Sequence, residues 1–340
     1  MKKLTILVTG ASGFLGSNIL KKFIKVQDIQ VIAACRDGNK LADFFQGEIR
    51  EGDLTDADYR RSVVEGIDII CHAGTWAAMW NHEKAEEDNF FKPALGLINA
   101  AMDAGVKRFI MTSTVAVTRP GYSQTAIVDD FSATHHTGFW PHVDRIVDID
   151  RYMQENAGHG MQMTSLRLGH FIGKGNSLGI VPALVPRLKT HLVPWINRGR
   201  SRLPLLSDTD AANSFIAVAL AETLEPYESF NIVGAELPST REVIEFIAEQ
   251  TGSPTPLFSV PYPVAYAFAW LMEKLFPILP GKAPFLTRSI IHLAEDWNCS
   301  NHYAHSKLGY TPQKHWKVAM QEALDELKEK NYPWQQLAQR

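Results

Sequence analysis

The stretch Thr9-Gly10-Ala11-Ser12-Gly13-Phe14-Leu15-Gly16 decides the fold of this chain. It follows a short apolar run at 4–8 and leads into residues with helical periodicity, so the order is strand, glycine turn, helix. Gly10 allows a tight turn, Gly13 lets the backbone approach a pyrophosphate, and Gly16 lets the helix pack on the strand. We expect the phosphates of a dinucleotide at the N-terminus of this helix, where unpaired N–H groups bind anions. An ordinary tight turn is the alternative interpretation.

Composition indicates a globular protein, since 45% of the 340 residues are hydrophobic and 21% are charged. A formal net charge of −3 gives no reason to expect a nucleic-acid partner. No uncharged apolar run reaches the roughly 18 residues that span a bilayer, and the first apolar run is too short for a signal peptide. The cysteines Cys35, Cys71 and Cys299 match no metal-site spacing and imply no disulfide framework. We therefore expect a cytoplasmic protein without a metal site or a transmembrane segment.

Apolar strand-like runs alternate with helical segments over the first half of the chain. This alternation predicts an α/β fold, a doubly wound parallel sheet of the Rossmann type with a smaller C-terminal α+β substrate lobe. We assign 1–169, with returning segments near 208–235, to a dinucleotide-binding domain, and 170–207 with 236–340 to the substrate lobe. The predicted strands lie near 4–9, 30–35, 67–72, 107–112, 162–168 and 229–233. The predicted helices lie near 14–26, 56–65, 84–104, 142–157, 208–222 and 239–251.

The end of the second strand indicates which cofactor is bound. Arg36 follows an uncharged strand end, and Lys40 stands four residues later. A guanidinium matches a 2′-phosphate with bidentate geometry, whereas a carboxylate at this place would bind the ribose 2′-hydroxyl of NAD. The pattern favours NADP. The alternative is that Asp37 holds a ribose and Arg36 is a solvated loop charge.

These glycines resemble those of the short-chain dehydrogenase/reductase superfamily, and the length and later motifs resemble its extended branch, the NAD-dependent epimerase/dehydratase superfamily. The motifs are Glu51-Gly52-Asp53-Leu54, His72-Ala73-Gly74, Thr112-Ser113-Thr114, Ser165-Leu166-Arg167 and Gly173-Lys174-Gly175. The tail, with Pro284 to Arg288, Trp297 and Lys307 to Pro312, resembles the 3β-hydroxysteroid dehydrogenase-like group. The resemblance implies cofactor contacts at Gly10, Ser12, Gly13, Phe14, Leu15, Gly16, Arg36, Lys40, Asp53, Leu54, Ala73, Gly74, Thr75, Thr112, Ser113 and Leu168.

The chain departs from this family at its catalytic pair, Tyr-x-x-x-Lys. The family's usual spacing, counted back from Arg167, puts the tyrosine at His142 and the lysine at Ile146. A shift by one residue gives Pro141 and Arg145, which is no better. Tyr122 lies in the window between 110 and 170, but no lysine stands four residues after it.

Three functions remain open from the sequence. The first is an NADP-dependent oxidoreductase in which Thr114 binds the substrate oxygen and His142 donates the proton, since histidine titrates near neutral pH. Under the alternative interpretation, His142 is a surface residue at the start of a helix. The second function is a catalytically silent NADP(H)-binding regulatory or scaffold protein. The third is an isomerase or epimerase with a non-standard site.

The substrate is expected to be a small apolar molecule. Residues 258–272 carry no charge and are rich in aromatic side chains, and Trp76, Met79 and Trp80 should face the same cleft. A buried core helix, a dimer face or shallow membrane contact would also explain this stretch. A sugar nucleotide, held by Lys189, Arg198, Arg200 and Arg202, is a further alternative. The family resemblance also implies a homodimer through the helices at 84–104 and 142–157.

Overall fold

The computed structural model describes residues 3–120, 127–278, 284 and 286–331. The strands are β1 (Leu4–Thr9), β2 (Ile29–Cys35), β3 (Glu48–Glu51), β4 (Ile69–His72), β5 (Arg108–Thr114), β6 (Gln162–Leu168), β7 (His170–Ile172), β8 (Trp195–Ile196), β9 (Leu205–Ser207), β10 (Tyr227–Ile232) and β11 (Ser259–Val260). The helices are α1 (Phe14–Phe23), α2 (Ala57–Val63), α3 (Glu83–Glu86), α4 (Lys92–Asp103), α5 (Pro141–Asn156), α6 (Ile180–Leu188), α7 (Asp208–Leu220), α8 (Thr240–Thr251), α9 (Tyr262–Leu275), α10 (Arg288–Leu293), α11 (His302–Leu308) and α12 (Trp316–Glu329).

Seven strands form one sheet in the order β10-β6-β5-β4-β1-β2-β3, and every neighbouring pair is parallel. One face of the sheet packs against α2, α4 and α5, with Leu97 and Val147 fully buried or nearly so. The other face packs against α1, α7 and α11, where Ile19 and Phe215 are fully buried. Helices on both faces of a parallel sheet confirm the predicted doubly wound fold.

In the first half of the chain, two elements differ from the sequence prediction. Strand β3 was not predicted, because its four residues are polar except for Ile49 and none is buried, as is common for an edge strand. The single helix predicted at 84–104 is α3, a π-helical turn at Glu87–Phe91, and α4. A π-helical turn inserts one residue into the helical repeat, and hydrophobic periodicity does not reveal it.

The remaining elements form smaller layers beside the carboxyl edge of the sheet. Helices α6, α8 and α12 share a core with Trp195 and Trp316, and β7 pairs with β9. Helices α9 and α10 pack on each other through Ala265, Ala269 and Ile291. Within the described ranges, no helix is both long and apolar enough to cross a bilayer.

A buried polar network joins β6, α5, β10 and the loop around Asp130. Arg167 lies 3.7 Å from Asp150 and donates to the carbonyl oxygens of Asp130 and Ser132. The Tyr227 hydroxyl donates to Asp150 at 2.6 Å. The Asp130 carboxylate accepts the N–H of Asn231, yet burial raises the pKa of this carboxyl to about 6. Ionisation of Asp130 therefore opposes folding.

We expect this carboxyl to make the protein more stable at pH 5 than at pH 7. Between pH 4 and pH 6 the folded protein holds the Asp130 proton and the unfolded chain releases it, so stability falls as pH rises through the folded pKa. Urea unfolding of the wild type should gain about 1 kcal/mol between pH 7 and pH 5 relative to Asp130→Asn, whose amide oxygen still accepts the Asn231 N–H. An identical pH dependence of the two proteins would contradict the prediction.

Candidate functional site

Close backbone contacts shape the turn between β1 and α1. Gly10 has a φ of +66°, a left-handed conformation that glycine adopts without strain. A Cβ on Gly10 would lie 2.6 Å from Cα of Gly74, and one on Gly16 would lie 2.2 Å from the carbonyl oxygen of Gly10. Gly13 precedes α1 and supplies no side-chain cap. The first N–H groups of α1 are thus without a capping side chain at the carboxyl edge of the sheet, which suits an anion.

The loop after β4 lies against this turn. The Ala73 N–H donates to the carbonyl oxygen of Thr9 at 3.2 Å, which places Gly74 beside Gly10. The Thr75 hydroxyl makes only a long contact of 3.5 Å with the carbonyl oxygen of Trp76. In the cradle formed by Gly10, Gly16 and Gly74, neither Gly10 nor Gly16 has room for a Cβ, so main-chain atoms can approach a pyrophosphate there. A dinucleotide therefore fits the residues present.

Other residues of the predicted cofactor set differ in which of their atoms a cofactor could contact. Ser12 and Gly13 are exposed at the turn, and Phe14 is half-buried with its ring 5.7 Å from that of Phe171. Leu15 and Leu168 are buried in the core, so only their main-chain atoms could meet a cofactor.

Behind the cradle, polar side chains hold the strands. The Thr9 hydroxyl contacts Nδ1 of His72 at 2.7 Å, and the Thr112 hydroxyl donates to the His72 carbonyl oxygen at 2.8 Å. Burial lowers the pKa of His72 to about 4, so its ring is neutral at physiological pH. Thr112 is therefore bonded to the backbone of β4, which agrees with a structural hydroxyl.

Arg36 is exposed directly after β2, at the edge where the second ribose of a dinucleotide would lie. In the part of the chain that the structure describes, Arg36 makes no hydrogen bond or ion pair. Asp37 is engaged differently, since its Oδ1 accepts the N–H of Asn39 at 3.1 Å and caps the short turn at Gly38–Lys40. Lys40 lies 3.6 Å from Asp37 and is largely exposed. The structure thus places the cations Arg36 and Lys40 at this position, where the carboxylates of Asp37 and Glu51 each accept a main-chain N–H of the short turn.

The predicted adenine contact follows β3. Asp53 is exposed, and its Oδ1 accepts the N–H of Thr55 at 2.9 Å. Leu54 is half-buried and packs against the core beneath. Asp53 therefore acts first as the cap of its own turn.

Thr114 ends β5 and is paired in register with Leu168 of β6. Its hydroxyl oxygen accepts the N–H of Ala116 at 3.2 Å, which leaves the hydroxyl proton available for donation. The neighbouring Ser113 hydroxyl is buried and has no hydrogen-bond partner among the described residues. Thr114 thus presents a donor at the carboxyl edge of the sheet.

His142, in the first turn of α5, is not a surface residue, so that interpretation is wrong. Its side chain is 13% exposed, and Nδ1 lies 3.1 Å from Oε2 of Glu86. Glu86 is fully buried, and its other oxygen accepts the N–H of Ala78 at 2.9 Å. The ring of Phe90 packs at 5.0 Å from the imidazole. No hydrogen bond joins His142 to Thr114 in the described ranges.

The family's lysine has no replacement on α5. Ile146 is buried in the core under the helix. Arg145, the residue given by the one-residue shift, lies 3.0 Å from both Glu87 and Asp148 and covers the ring of Phe91. The cation nearest in sequence is thus bound on the outer side of α5.

Sequence reasoning missed a polar cluster on α9 and α10. Nδ1 of His292 lies 2.9 Å from Glu295, and Nε2 lies 3.3 Å from the carbonyl oxygen of Ala116, two residues after Thr114. The Tyr262 hydroxyl donates to the same Glu295 oxygen at 2.5 Å. His170 lies nearby, and burial together with the charge of His292 lowers its pKa to about 4. The cluster fastens α9 and α10 to the end of β5, and no sequence spacing could have revealed it.

Several other residues named in the sequence analysis lie outside the glycine cradle. Arg202 is bonded bidentately to Asp296, so it is not free to hold a diphosphate. Trp80 meets the ring of Phe276 at 5.0 Å, which brings the loop after β4 to the end of α9. Tyr122 and residue 285 of the tail motif lie outside the described residues. Among the residues that are described, no group of three or more His, Cys, Asp or Glu side chains could hold a metal ion.

Known proteins resemble this chain over most of its length. One relative is the 2-alkyl-3-oxoalkanoate reductase of Shewanella oneidensis, with 24% identity over 94% of this chain and 84% of that protein. Another is the 4-hydroxy-2-methyl-3-oxo-4-farnesyl-3,4-dihydroquinoline-1-oxide ketoreductase of Stigmatella aurantiaca, with 25% identity over 95% of each chain. A third is the 3 beta-hydroxysteroid dehydrogenase/Delta 5-->4-isomerase of Mycobacterium tuberculosis, with 25% identity over 94% and 89%.

Among solved structures, the UDP-glucose 4-epimerase of Thermus thermophilus in complex with NAD superimposes with a TM-score of 0.70. It is 18% identical and covers 96% of this chain and 99% of its own. This likeness concerns the fold. The sequence model of the NAD dependent epimerase/dehydratase family matches residues 6–233, which include most of β1, the glycine turn and the other six strands of the main sheet. The chain belongs to the NAD dependent epimerase/dehydratase family.

Proposed function

We propose that this protein is an NADP(H)-dependent oxidoreductase that acts on an apolar carbonyl or alcohol substrate. The observation that carries the proposal is the cradle of Gly10, Gly16 and Gly74 with the unpaired Arg36 at the adjacent strand end. The names of the reductase relatives support oxidoreductase chemistry. We further propose that 1–169 with 208–235 holds the cofactor, and that 170–207 with 236–340 encloses the substrate.

In this proposal the glycine turn binds the pyrophosphate, and Arg36 with Lys40 binds the 2′-phosphate. Asp37 favours the same assignment, because its carboxylate already caps the turn at Gly38–Lys40 and is less available to a ribose 2′-hydroxyl. NADPH, when bound, supplies the hydride for carbonyl reduction.

Thr114 and His142 are the proposed catalytic residues. The Thr114 hydroxyl accepts the Ala116 N–H and donates no hydrogen bond within the described residues, so its proton is available for the substrate oxygen. Glu86 accepts from Nδ1 of His142, and this leaves Nε2 as the atom that exchanges a proton. Glu86 is therefore a positioning residue, itself fixed by the Ala78 N–H.

The apolar substrate is proposed to lie between the loop after β4 and the helices α9 and α10. Trp80 and Phe276 meet across this region, and Tyr266 contacts Phe139 at 5.8 Å between ring centroids. Met79 is tied to α10, because its carbonyl oxygen accepts the hydroxyl of Ser289. Aromatic walls with few polar groups suit a hydrophobic ligand.

Cofactor preference tests the role of Arg36. NADPH should bind at least about tenfold more tightly than NADH to the wild type, because a charge-assisted bidentate contact contributes about 1.5–3 kcal/mol. Arg36→Ala should remove the preference by weakening NADPH alone, as measured by calorimetric titration of both cofactors. Arg50→Ala is the matched control, because Arg50 is already paired with Glu48. This variant should keep the preference for NADPH over NADH. Equal affinities in the wild type would refute the assignment.

Turnover and pH profiles test the catalytic residues. His142→Ala should reduce kcat by about a hundredfold or more while NADPH affinity stays unchanged, because general acid catalysis contributes that much. Thr114→Val should also reduce kcat, since a methyl group cannot donate a hydrogen bond. Glu86→Gln should shift the pH profile of kcat, whereas Glu83→Gln, an exposed residue of the same helix, should not.

A second candidate function is a catalytically silent NADP(H)-binding protein. It is favoured by Ile146, whose buried aliphatic side chain stands where the family has its lysine. A catalytically silent NADP(H)-binding protein would show no hydride transfer across a broad screen of carbonyls and alcohols, yet NADPH would raise its melting temperature. Turnover that survives both His142→Ala and Thr114→Val would refute the proposed roles and favour a non-standard isomerase or epimerase site.

We also propose a homodimer through α4 and α5. The outer sides of these helices lie together, since the Tyr152 hydroxyl donates to Asn99 at 2.5 Å. Light scattering at micromolar concentration should give twice the 38.0 kDa chain mass. A monomer would exclude this assembly.

A further inference from the structure

Helix α9 carries its large apolar side chains on the side that faces away from the protein, whereas an ordinary surface helix buries them. Its side toward the protein carries the small residues Ala265 and Ala269 and the buried carboxylate of Glu273. Its outer side carries large apolar residues at helical spacing, Val264, Phe268 and Leu271, which are 55%, 47% and 41% exposed. A surface helix normally turns such residues toward the core.

The apolar surface continues beyond the helix. Its members are exposed large hydrophobic side chains in one segment of the chain, and we call this set the α9 patch. They are Leu257, Phe258, Val264, Phe268, Trp270, Leu271 and Ile278. A concentration of exposed large apolar side chains in one segment is typical of an interaction site.

The charged residues around the α9 patch indicate what kind of partner it binds. Between Gln250 and Arg288 the sequence contains one acidic residue, Glu273, and the Arg288 guanidinium pairs with it at 2.7 Å on the protein side of α9. Lys274 is exposed on the outer side and makes no ion pair within the described residues. Arg198, exposed beside β11, donates its N–H to Ser259 next to the patch. The patch is thus apolar with cations at its border and no exposed carboxylate between 251 and 278.

We propose that the α9 patch docks on the surface of an anionic lipid bilayer. Helix α9 would lie in the interface plane, with Phe268 and Leu271 among the acyl chains and Lys274 at the headgroups, which is the arrangement of interfacial amphipathic helices. Trp270 has the amphipathic ring that favours this depth. A second protein copy is a poorer match, because an apolar dimer face needs no cationic border.

The patch also adjoins the proposed active site. Tyr262 and Tyr266, on the inner side of α9, contact Glu295 and Phe139. One helix therefore separates the bilayer from the region assigned to the substrate, so an apolar substrate could reach that region from the lipid. This route rests on the proposed function, whereas docking itself does not depend on it.

Vesicle sedimentation without substrate or cofactor tests the docking. The full chain should bind vesicles of equal phosphatidylglycerol and phosphatidylcholine, bind phosphatidylcholine alone more weakly, and lose part of its binding in high salt. The double variant F268E/L271E should weaken binding at least about tenfold, since burial of each side chain contributes about 1.5–3 kcal/mol. Lys274→Gln should weaken binding to the anionic vesicles roughly fivefold.

Val318→Glu is the matched control, because Val318 is a 52% exposed apolar residue on α12. It should bind vesicles as the wild type does, and circular dichroism should show all variants folded. Absence of vesicle binding by the wild type, or equal binding by the double variant, would overturn the proposal. So would a lower mass of the double variant in light scattering without lipid, since the patch would then join two copies. None of these results bears on hydride transfer, so the proposed function is judged separately.

Discussion

The backbone contact between Gly10 and Gly74 is the constraint on which the rest of the site depends. A Cβ on Gly10 would meet main-chain atoms of the neighbouring loop, which cannot move aside as a flexible side chain can. The contact holds the ends of β1 and β4 together and brings Gly16, hence α1, against the same turn. The N-terminus of α1, the loop after β4 and the end of β5 consequently share one edge, and chemistry contributed by distant parts of the chain meets there.

Local pattern was enough to predict the sheet, because its central strands are short buried runs between amphipathic helices. The pattern failed where a residue's environment depends on distant partners. Glu48–Glu51 forms a strand only because β2 offers a partner at the sheet edge. The turn at Asp37 could have been predicted from sequence, since an Asp side chain often accepts the main-chain N–H two residues later. That prediction would have favoured Arg36 over Asp37 as the residue that contacts the cofactor.

Side-chain contacts between residues far apart in the sequence account for the features of the site that the sequence did not predict. Glu86 and His142 are 56 residues apart, and Arg202 and Asp296 are 94 apart. A buried carboxylate needs a partner, because an uncompensated charge in the core costs several kcal/mol. His142 provides that partner, and an imidazole that one of the two sequence interpretations placed on the surface is instead held by Glu86. The inverted faces of α9 were equally hidden, because composition shows that a helix is apolar but not which side faces the protein.

The replacement of the Tyr-x-x-x-Lys pair separates two tasks that the pair performs together in the family, which are proton exchange and anchoring of the nicotinamide ribose. Proton exchange can pass to His142, because a carboxylate on another helix orients its ring and no second residue on α5 is required. Anchoring of the nicotinamide ribose has no such substitute at the expected positions of α5, since Ile146 is aliphatic and Arg145 is paired with Glu87 and Asp148. Under the proposed function, cofactor affinity would then depend on the glycine turn and on Arg36, at the opposite end of the dinucleotide. In that proposal a 2′-phosphate contact gains importance, because it would compensate for the binding energy lost beside the nicotinamide.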